Sequence, residues 1–276
     1  MQTRHIDRER YFLELAETSA EFYIDYLRKF KSLDRGSRIL EIGCGEGGNL
    51  APFAQMGCTV AGLDLAEGKI ENARKFFAAR GLDGRFFAAD FLKTNPFEGE
   101  PLFDIILVHD VIEHIEPEGK TAFFERMKMY LKPGGIIFFG FPAWQMPFGG
   151  HQQICRSRIC SKVPFVHILP APIYRHWLTL FGEDNAKVEE LLSIKRSMMT
   201  VESFERYCRD CGYSIQDRTL WLVSPHYKAK FHLRPRRLWK PLSRIPYLRN
   251  WFSTSCFYII KVSDAGKTMT NFNLKG

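Results

Sequence analysis

Four glycines and two carboxylates crowd one short stretch of this chain. Within residues 37–48, Gly43, Gly45, Gly47 and Gly48 stand among Glu41, Cys44 and Glu46. Glycine lets the backbone turn sharply and lets a ligand approach without Cβ obstruction. The apolar Ile39, Leu40 and Ile42 ahead of the loop read as a buried parallel strand, and residues 49–56 behind it read as helix. Strand, glycine loop and helix in that order make the ligand-binding crest of a doubly wound α/β sheet. The spacing Gly43-x-Gly45-x-x-Gly48 alone also fits a dinucleotide fingerprint.

The carboxylates separate the two ligand classes. A pyrophosphate needs a helix N-terminus with free backbone N–H groups. Glu41 and Glu46 would raise the negative potential where its phosphates must sit. A cationic ligand reverses the sign. S-adenosylmethionine carries an ammonium and a sulfonium and no phosphate. Glu41-x-Gly43-x-Gly45-x-Gly47 resembles the first motif of class I S-adenosylmethionine-dependent methyltransferases, and the core is similar to the small-molecule, quinone-biosynthesis O-methyltransferases.

The resemblance covers residues 36–142. Thr59–Asp64 reads as a second strand whose acid lies about 20 residues past the glycines, where a carboxylate can accept from ribose hydroxyls. Residues 66–80 show helical spacing at Ile70, Ala73 and Phe77, with Gly81 as a stop. Residues 85–90 form a third strand ending at Asp90, and Phe103–His109 a fourth, nearly continuous apolar one. A Pro-Gly-Gly turn precedes a fifth at 136–141. The expected fold is a Rossmann-like, doubly wound, mostly parallel seven-stranded α/β sheet with a cap inserted after strand five. The resemblance implies S-adenosyl-L-methionine as cofactor. It implies Glu41, Gly43, Cys44, Gly45 and Asn49 at the methionine end, Asp64 and Leu65 at the ribose, Asp90 and Phe91 at the adenine, and His109 beside the methyl.

Methyl transfer is an in-line displacement that depends mostly on alignment. A hydroxyl acceptor needs a base, whereas a carboxylate or thiolate does not. Residues 109–114, His-Asp-Val-Ile-Glu-His, leave the fourth strand at its carboxyl edge. His109 is the first choice of base because imidazole titrates near neutrality. His151 is the second, and His114 completes the candidate catalytic set. Asp110-x-x-Glu113-His114 is similar to the Glu-x-x-Glu-His segment of quinone O-methyltransferases, whose side chains can hold a divalent metal. Asp in place of the first Glu shortens the reach, so loop orientation is expected ahead of a metal.

At 276 residues, 45% hydrophobic and 25% charged, the composition is ordinary for a globular protein. One domain is expected over 1–276: a helical lid at 1–34, the cofactor core at 35–142, the cap at 143–198, and a closing helix and strands at 199–276. The lid carries Phe12, Leu15, Phe22, Tyr23, Tyr26 and Leu27 near helical spacing; residues 200–212 read as the last helix, and Tyr213–Val223 and Ser255–Val262 as closing strands. Seven cysteines, an odd number, do not suggest a disulfide scaffold. Buried thiols are expected rather than a four-thiolate zinc site from Cys155, Cys160, Cys208 and Cys211. Residues 1–10 lack an apolar leader core, and no apolar run is long enough to span a bilayer. The expected location is the cytoplasm, or peripheral to the membrane.

The formal charge of +8 is concentrated in a basic flap at 224–252, where Lys228, Lys230, Arg234, Arg236, Arg237, Lys240, Arg244 and Arg249 occur without one acid. Pro235, Pro241 and Pro246 preclude a regular helix, and Trp239, Tyr247 and Trp251 interleave aromatic surface. An anionic membrane surface or an acidic, lipid-linked substrate suits that mixture. RNA suits it less, since no RNA-binding module accompanies the run. The expected function is S-adenosylmethionine-dependent methylation of a small or lipid-like acceptor, anionic in one form of the reading, on oxygen rather than nitrogen. The alternatives are an RNA methyltransferase and a non-catalytic cofactor-binding scaffold. Oligomeric state is not legible.

Overall fold

Alternate residues of a strand face opposite sides of its sheet, and that rule divides the core of this protein in two. The computed structural model describes residues 7–263. Its strands are β1 (Arg38–Ile42), β2 (Thr59–Asp64), β3 (Arg85–Ala88), β4 (Phe103–His109), β5 (Leu131–Phe141), β6 (Tyr213–Val223), β7 (Arg236–Arg237) and β8 (Ser255–Val262). Its helices include α1 (Arg8–Thr18) and α2 (Ile24–Arg28), joined by a π-helical turn at Ser19–Tyr23, then α3 (Ala51–Gln55), α4 (Glu67–Ala78) and α5 (Pro117–Met127). The second half adds α6 (Ala171–Leu180), α7 (Asn185–Ser197), α8 (Val201–Asp210), α9 (His226–Phe231) and α10 (Lys240–Ser243).

One sheet runs β3-β2-β1-β4-β5-β8-β6-β7. Pairings from β3 to β5 are parallel, and β8, β6 and β7 pair antiparallel. In β4, Ile106 and Val108 pack with Phe123, Phe124 and Met127 of α5 and Phe204 of α8. Ile105 and Leu107 point the other way, toward Phe12, Leu27, Phe53 and Phe77 of α1, α2, α3 and α4. Both faces are therefore covered, as a continuous apolar strand requires.

The sheet has eight strands where seven were expected. The extra strand is Arg236–Arg237, which pairs with Trp221 and Val223 of β6 and ties the flap to the sheet edge. β3 stops at Ala88, so Asp90 lies in the turn beyond it rather than at the strand end. Residues 143–198 hold a third core of their own, built on Trp144, Tyr174, Leu178 and Leu191. A buried lysine pins this cap to the main body: Lys120 Nζ of α5 donates to Ser197 O at 2.8 Å and Ser197 Oγ at 2.7 Å. Burial lowers its pKa to about 8. The zinc alternative is not met, because Cys155 and Cys160 lie in the cap core while Cys208 and Cys211 lie in the main one.

Residues 1–6 and 264–276 lie outside the described residues, so the expected lid and closing segment are seen over 7–34 and 199–263. The leader expectation rests largely on residues outside that span. Among the described residues, no helix is long and apolar enough to cross a membrane.

Candidate active site

The glycine loop is shaped by two different demands. Gly45 has φ +53°, and a Cβ there would meet nothing within 4 Å, so its face is open to a ligand. At Gly48 a Cβ would stand 2.5 Å from Phe12 O and 2.8 Å from Leu15 Cβ. That glycine lets α1 lie directly on the loop. The contact is reinforced where Ser19 Oγ donates to Asn49 O at 2.7 Å, in the π turn, an irregularity often found beside functional sites.

The strand-end acids do different things. Asp64 Oδ2 accepts from Gly45 N–H at 3.0 Å and Oδ1 from Ala66 N–H at 2.9 Å, with Lys69 Nζ at 3.7 Å. Leu65 beside it is 75% exposed. Glu41 is buried; Asn49 Nδ2 donates to its Oε1 at 2.6 Å, while Oε2 has no hydrogen-bond partner among the described residues. Burial pushes its carboxyl up to about 8, against the Asn49 hydrogen bond, and the Asp64 charge adds to the rise. Glu46 does not face the ligand side. It is buried against Arg8 of α1, whose Nε donates to it at 2.7 Å. Asp90 Oδ1 accepts from Leu92 N–H at 2.9 Å, and its Oδ2 is 3.2 Å from Lys93 Nζ.

Two expected cofactor contacts are turned inward. The Phe91 ring lies in the core, 5.1 Å from Phe123 and 5.5 Å from Tyr130 between centroids. Because β3 ends early, the following turn points residue 91 under the sheet. The Cys44 thiol is also buried, packed where a Cβ on Gly62 would lie 2.6 Å from Sγ.

At the carboxyl end of β4 the chain enters a left-handed conformation at Asp110, φ +52°, a strained state for a non-glycine residue that its surroundings must enforce. Here Asp110 N–H donates to Gly140 O at 2.8 Å. His109 packs between the Tyr23 ring, 5.4 Å away, and Gly140, where a Cβ would approach its Cδ2 to 2.6 Å. The turn then buries Glu113, and neither of its oxygens accepts a hydrogen bond from another described residue. Burial holds this carboxyl well above the usual carboxylate range, with Asp110 adding to the rise.

The cap brings His151 to this point, itself left-handed at φ +57°. Its Nε2 is 3.6 Å from Glu113 Oε1, and its ring is 4.8 Å from that of His114 in a T-shaped arrangement. The His114 ring is accessible from the cavity yet lies deep in the molecule, and loss of bulk water there lowers its pKa. One ligand atom from each of Glu113, His114 and His151 fits within 4.8 Å. Two imidazoles and a carboxylate suit a divalent cation or a proton relay equally. Asp110, an expected member of any metal set, is not part of this group; His151 stands in its place. A second cluster, Cys155, Cys160 and Glu183, is buried in the cap. There Glu183 is already occupied by the Arg156 and Ser157 N–H groups at 3.2 and 2.8 Å.

A cavity of about 480 Å³ opens here, lined by Arg8, Lys69, His109, Asp110, His114 and His151 among others. The flap contributes His226, Tyr227 and Lys230, and α7 contributes Lys187 and Glu190. Of these five only Lys230 was singled out in the sequence, as part of the basic flap.

The methyltransferase domain family matches residues 39–135, from β1 into β5. The strand order and the glycine loop fall within that match. These residues form a class I S-adenosylmethionine-dependent methyltransferase domain. Ubiquinone biosynthesis O-methyltransferase of Dinoroseobacter shibae is 40% identical over 117 residues, 41% of this chain and 45% of that protein. The Caulobacter vibrioides protein of the same name is 37% identical over 103 residues, 37% of this chain and 40% of that one. The chain thus spans less than half the length of these curated relatives. A Clostridium acetobutylicum S-adenosylmethionine-dependent methyltransferase superposes with a TM-score of 0.56 at 14% identity, covering 90% of this chain and 92% of that one. Magnesium protoporphyrin IX methyltransferase from Synechocystis, with bound SAH, gives 0.54 at 15% identity, covering 94% of each. These are likenesses of fold, and they reach beyond the matched residues.

Proposed function

We propose that the protein is an S-adenosyl-L-methionine-dependent O-methyltransferase of a small or lipid-like acceptor. The observation that carries this reading is the cavity at the carboxyl edge of the parallel strands, with His114 and His151 in its wall and the buried Glu113 beside them. Relatives named for ubiquinone biosynthesis favour oxygen as the methylated atom.

The residues fit the cofactor. Asp64 would accept from ribose hydroxyls, with the exposed Leu65 beside the sugar and Asp90 toward the adenine. The open face of Gly45 admits the methionine end, and the unpartnered buried oxygen of Glu41 suits an ammonium. When bound, the cofactor supplies a methyl group on a sulfonium leaving group. His151 would take the proton of an acceptor hydroxyl, and Glu113 behind it would orient the ring. That assigns the base to His151 rather than His109, which is wedged between Tyr23 and Gly140 and sets the shape of the wall. Of the cations that line the cavity, Arg8 pairs with Glu46, Lys69 with Asp64 and Lys187 with Glu190.

Titration calorimetry with S-adenosylmethionine tests the cofactor half of this reading, and absence of binding by the wild type overturns it. Cell extract incubated with protein and labelled methyl donor tests the acceptor half. The expected product is a labelled small molecule or lipid identified by mass spectrometry, with the methyl on oxygen.

A further inference from the structure

The flap is held firmly at its base and exposes an apolar, cationic edge. Arg249 is buried and binds Glu202 at 3.0 Å and Glu205 at 3.4 Å; Leu238 is buried, and its N–H donates to Leu220 O at 2.8 Å. Tyr247 N–H donates to Glu202 Oε1 at 2.8 Å. With its backbone fixed, the segment leaves Trp239 72%, Ile245 47%, Tyr247 69%, Leu248 43% and Trp251 40% exposed. Tyr247 is held at φ +62°, a costly conformation for a bulky residue. The edge continues onto the cap, where Phe165, 40% exposed, lies 5.9 Å from the Trp251 ring.

The charges complete the picture. Lys228 pairs with Glu21 and Arg249 with its glutamates. Among the described residues, Arg234, Arg236, Lys240 and Arg244 are exposed and make no ion pair. Contiguous exposed apolar surface marks an interaction site, and tryptophan and tyrosine interleaved with arginine and lysine match the headgroup region of an anionic bilayer. Nucleic acid fits less well, because the exposed Ile245 and Leu248 offer no π-face on which a base can stack.

From this surface we infer that residues 234–252, with Phe165, form a docking face for an anionic lipid bilayer. The flap also begins at the cavity through Tyr227 and Lys230, so docking would bring the cavity mouth near the lipid surface. The docking inference stands on the exposed face alone and does not depend on the proposed reaction.

Co-sedimentation of the full chain with vesicles tests it. Vesicles of phosphatidylcholine with 30% phosphatidylglycerol should pellet the protein at least tenfold more strongly than phosphatidylcholine alone, with binding weakened by added salt. The triple variant Trp239→Ser, Tyr247→Ser, Trp251→Ser and the triple variant Arg234→Gln, Arg236→Gln, Arg244→Gln should each lose tenfold or more. Unchanged melting temperature and unchanged cofactor affinity in both variants separate loss of docking from loss of fold. Brominated lipid should quench the Trp239 emission, and Trp239→Phe should lower that quenching. Equal binding to neutral and anionic vesicles overturns the inference. So does absence of vesicle binding, or a single-stranded oligonucleotide that binds through the same arginines and displaces the vesicles.

Discussion

The backbone N–H of Gly45 donates to Asp64 Oδ2 at 3.0 Å. The glycine loop after β1 and the acid that ends β2 are thus one unit, braced before any ligand arrives. Asp64→Ala removes both the brace and the proposed ribose contact. Charged hydrogen bonds contribute about 1.5–3 kcal/mol each, so calorimetry should show S-adenosylmethionine affinity falling ten- to a hundredfold. Asp64→Asn, which keeps an acceptor, should lose less.

Glu41 should release a proton when the cofactor binds. Its folded pKa of about 8 lies above the ordinary carboxylate value, so near neutrality it is mostly protonated, and an arriving ammonium favours the anion. Calorimetry in buffers of different ionisation enthalpy should detect that release, and Glu41→Gln should abolish it. The same shift has a stability consequence in the free protein. Because the pKa is raised on folding, Glu41 contributes fully below its unfolded value of about 4.3. That contribution declines as pH rises through about 8. Urea titrations from pH 4 to 9 should show this decline in the wild type and lack it in Glu41→Gln.

Gly48→Ala should loosen α1 from the loop. The added Cβ would meet the Phe12 carbonyl and the Leu15 side chain, and overpacking of this kind costs about 1–3 kcal/mol. A lowered urea midpoint with an unchanged denaturant slope is expected, together with weaker cofactor binding. Gly68→Ala, where a Cβ meets nothing within 4 Å, is the control and should be near neutral or stabilising.

Once an acceptor is identified, His151→Ala should lower kcat by about a hundredfold or more, the usual range for a general base, with cofactor affinity retained. Glu113→Gln should lower kcat less and shift the pH profile, because it acts through the imidazole. If His109→Ala alone suppresses kcat at unchanged cofactor affinity, the base assignment passes to His109.

The parts of the site that could be read from the chain were local ones. Glycine positions, the helix stop at Gly81 and the acid closing β2 follow from strand period and turn chemistry within a few residues of each other. Glu46 could not be read that way. Its partner Arg8 lies on α1, and only folding puts that guanidinium against it. The inward turn of the Phe91 ring could not be read either, because its neighbour Asp90 was taken as a strand end. With β3 closing at Ala88, the ring rotates into the core beside Phe123.

Sequence alone determined the class of fold, the cofactor motif and the stretch of chain that leaves β4 at its carboxyl edge, because each depends on spacing along one segment. Tertiary structure decided what faces what. It joined His151 of the cap to Glu113 and His114, set Glu46 against Arg8, and brought Phe165 of the cap to Trp251 of the flap. Those contacts join segments tens of residues apart, and their geometry is set by which surfaces the sheet and cap leave uncovered.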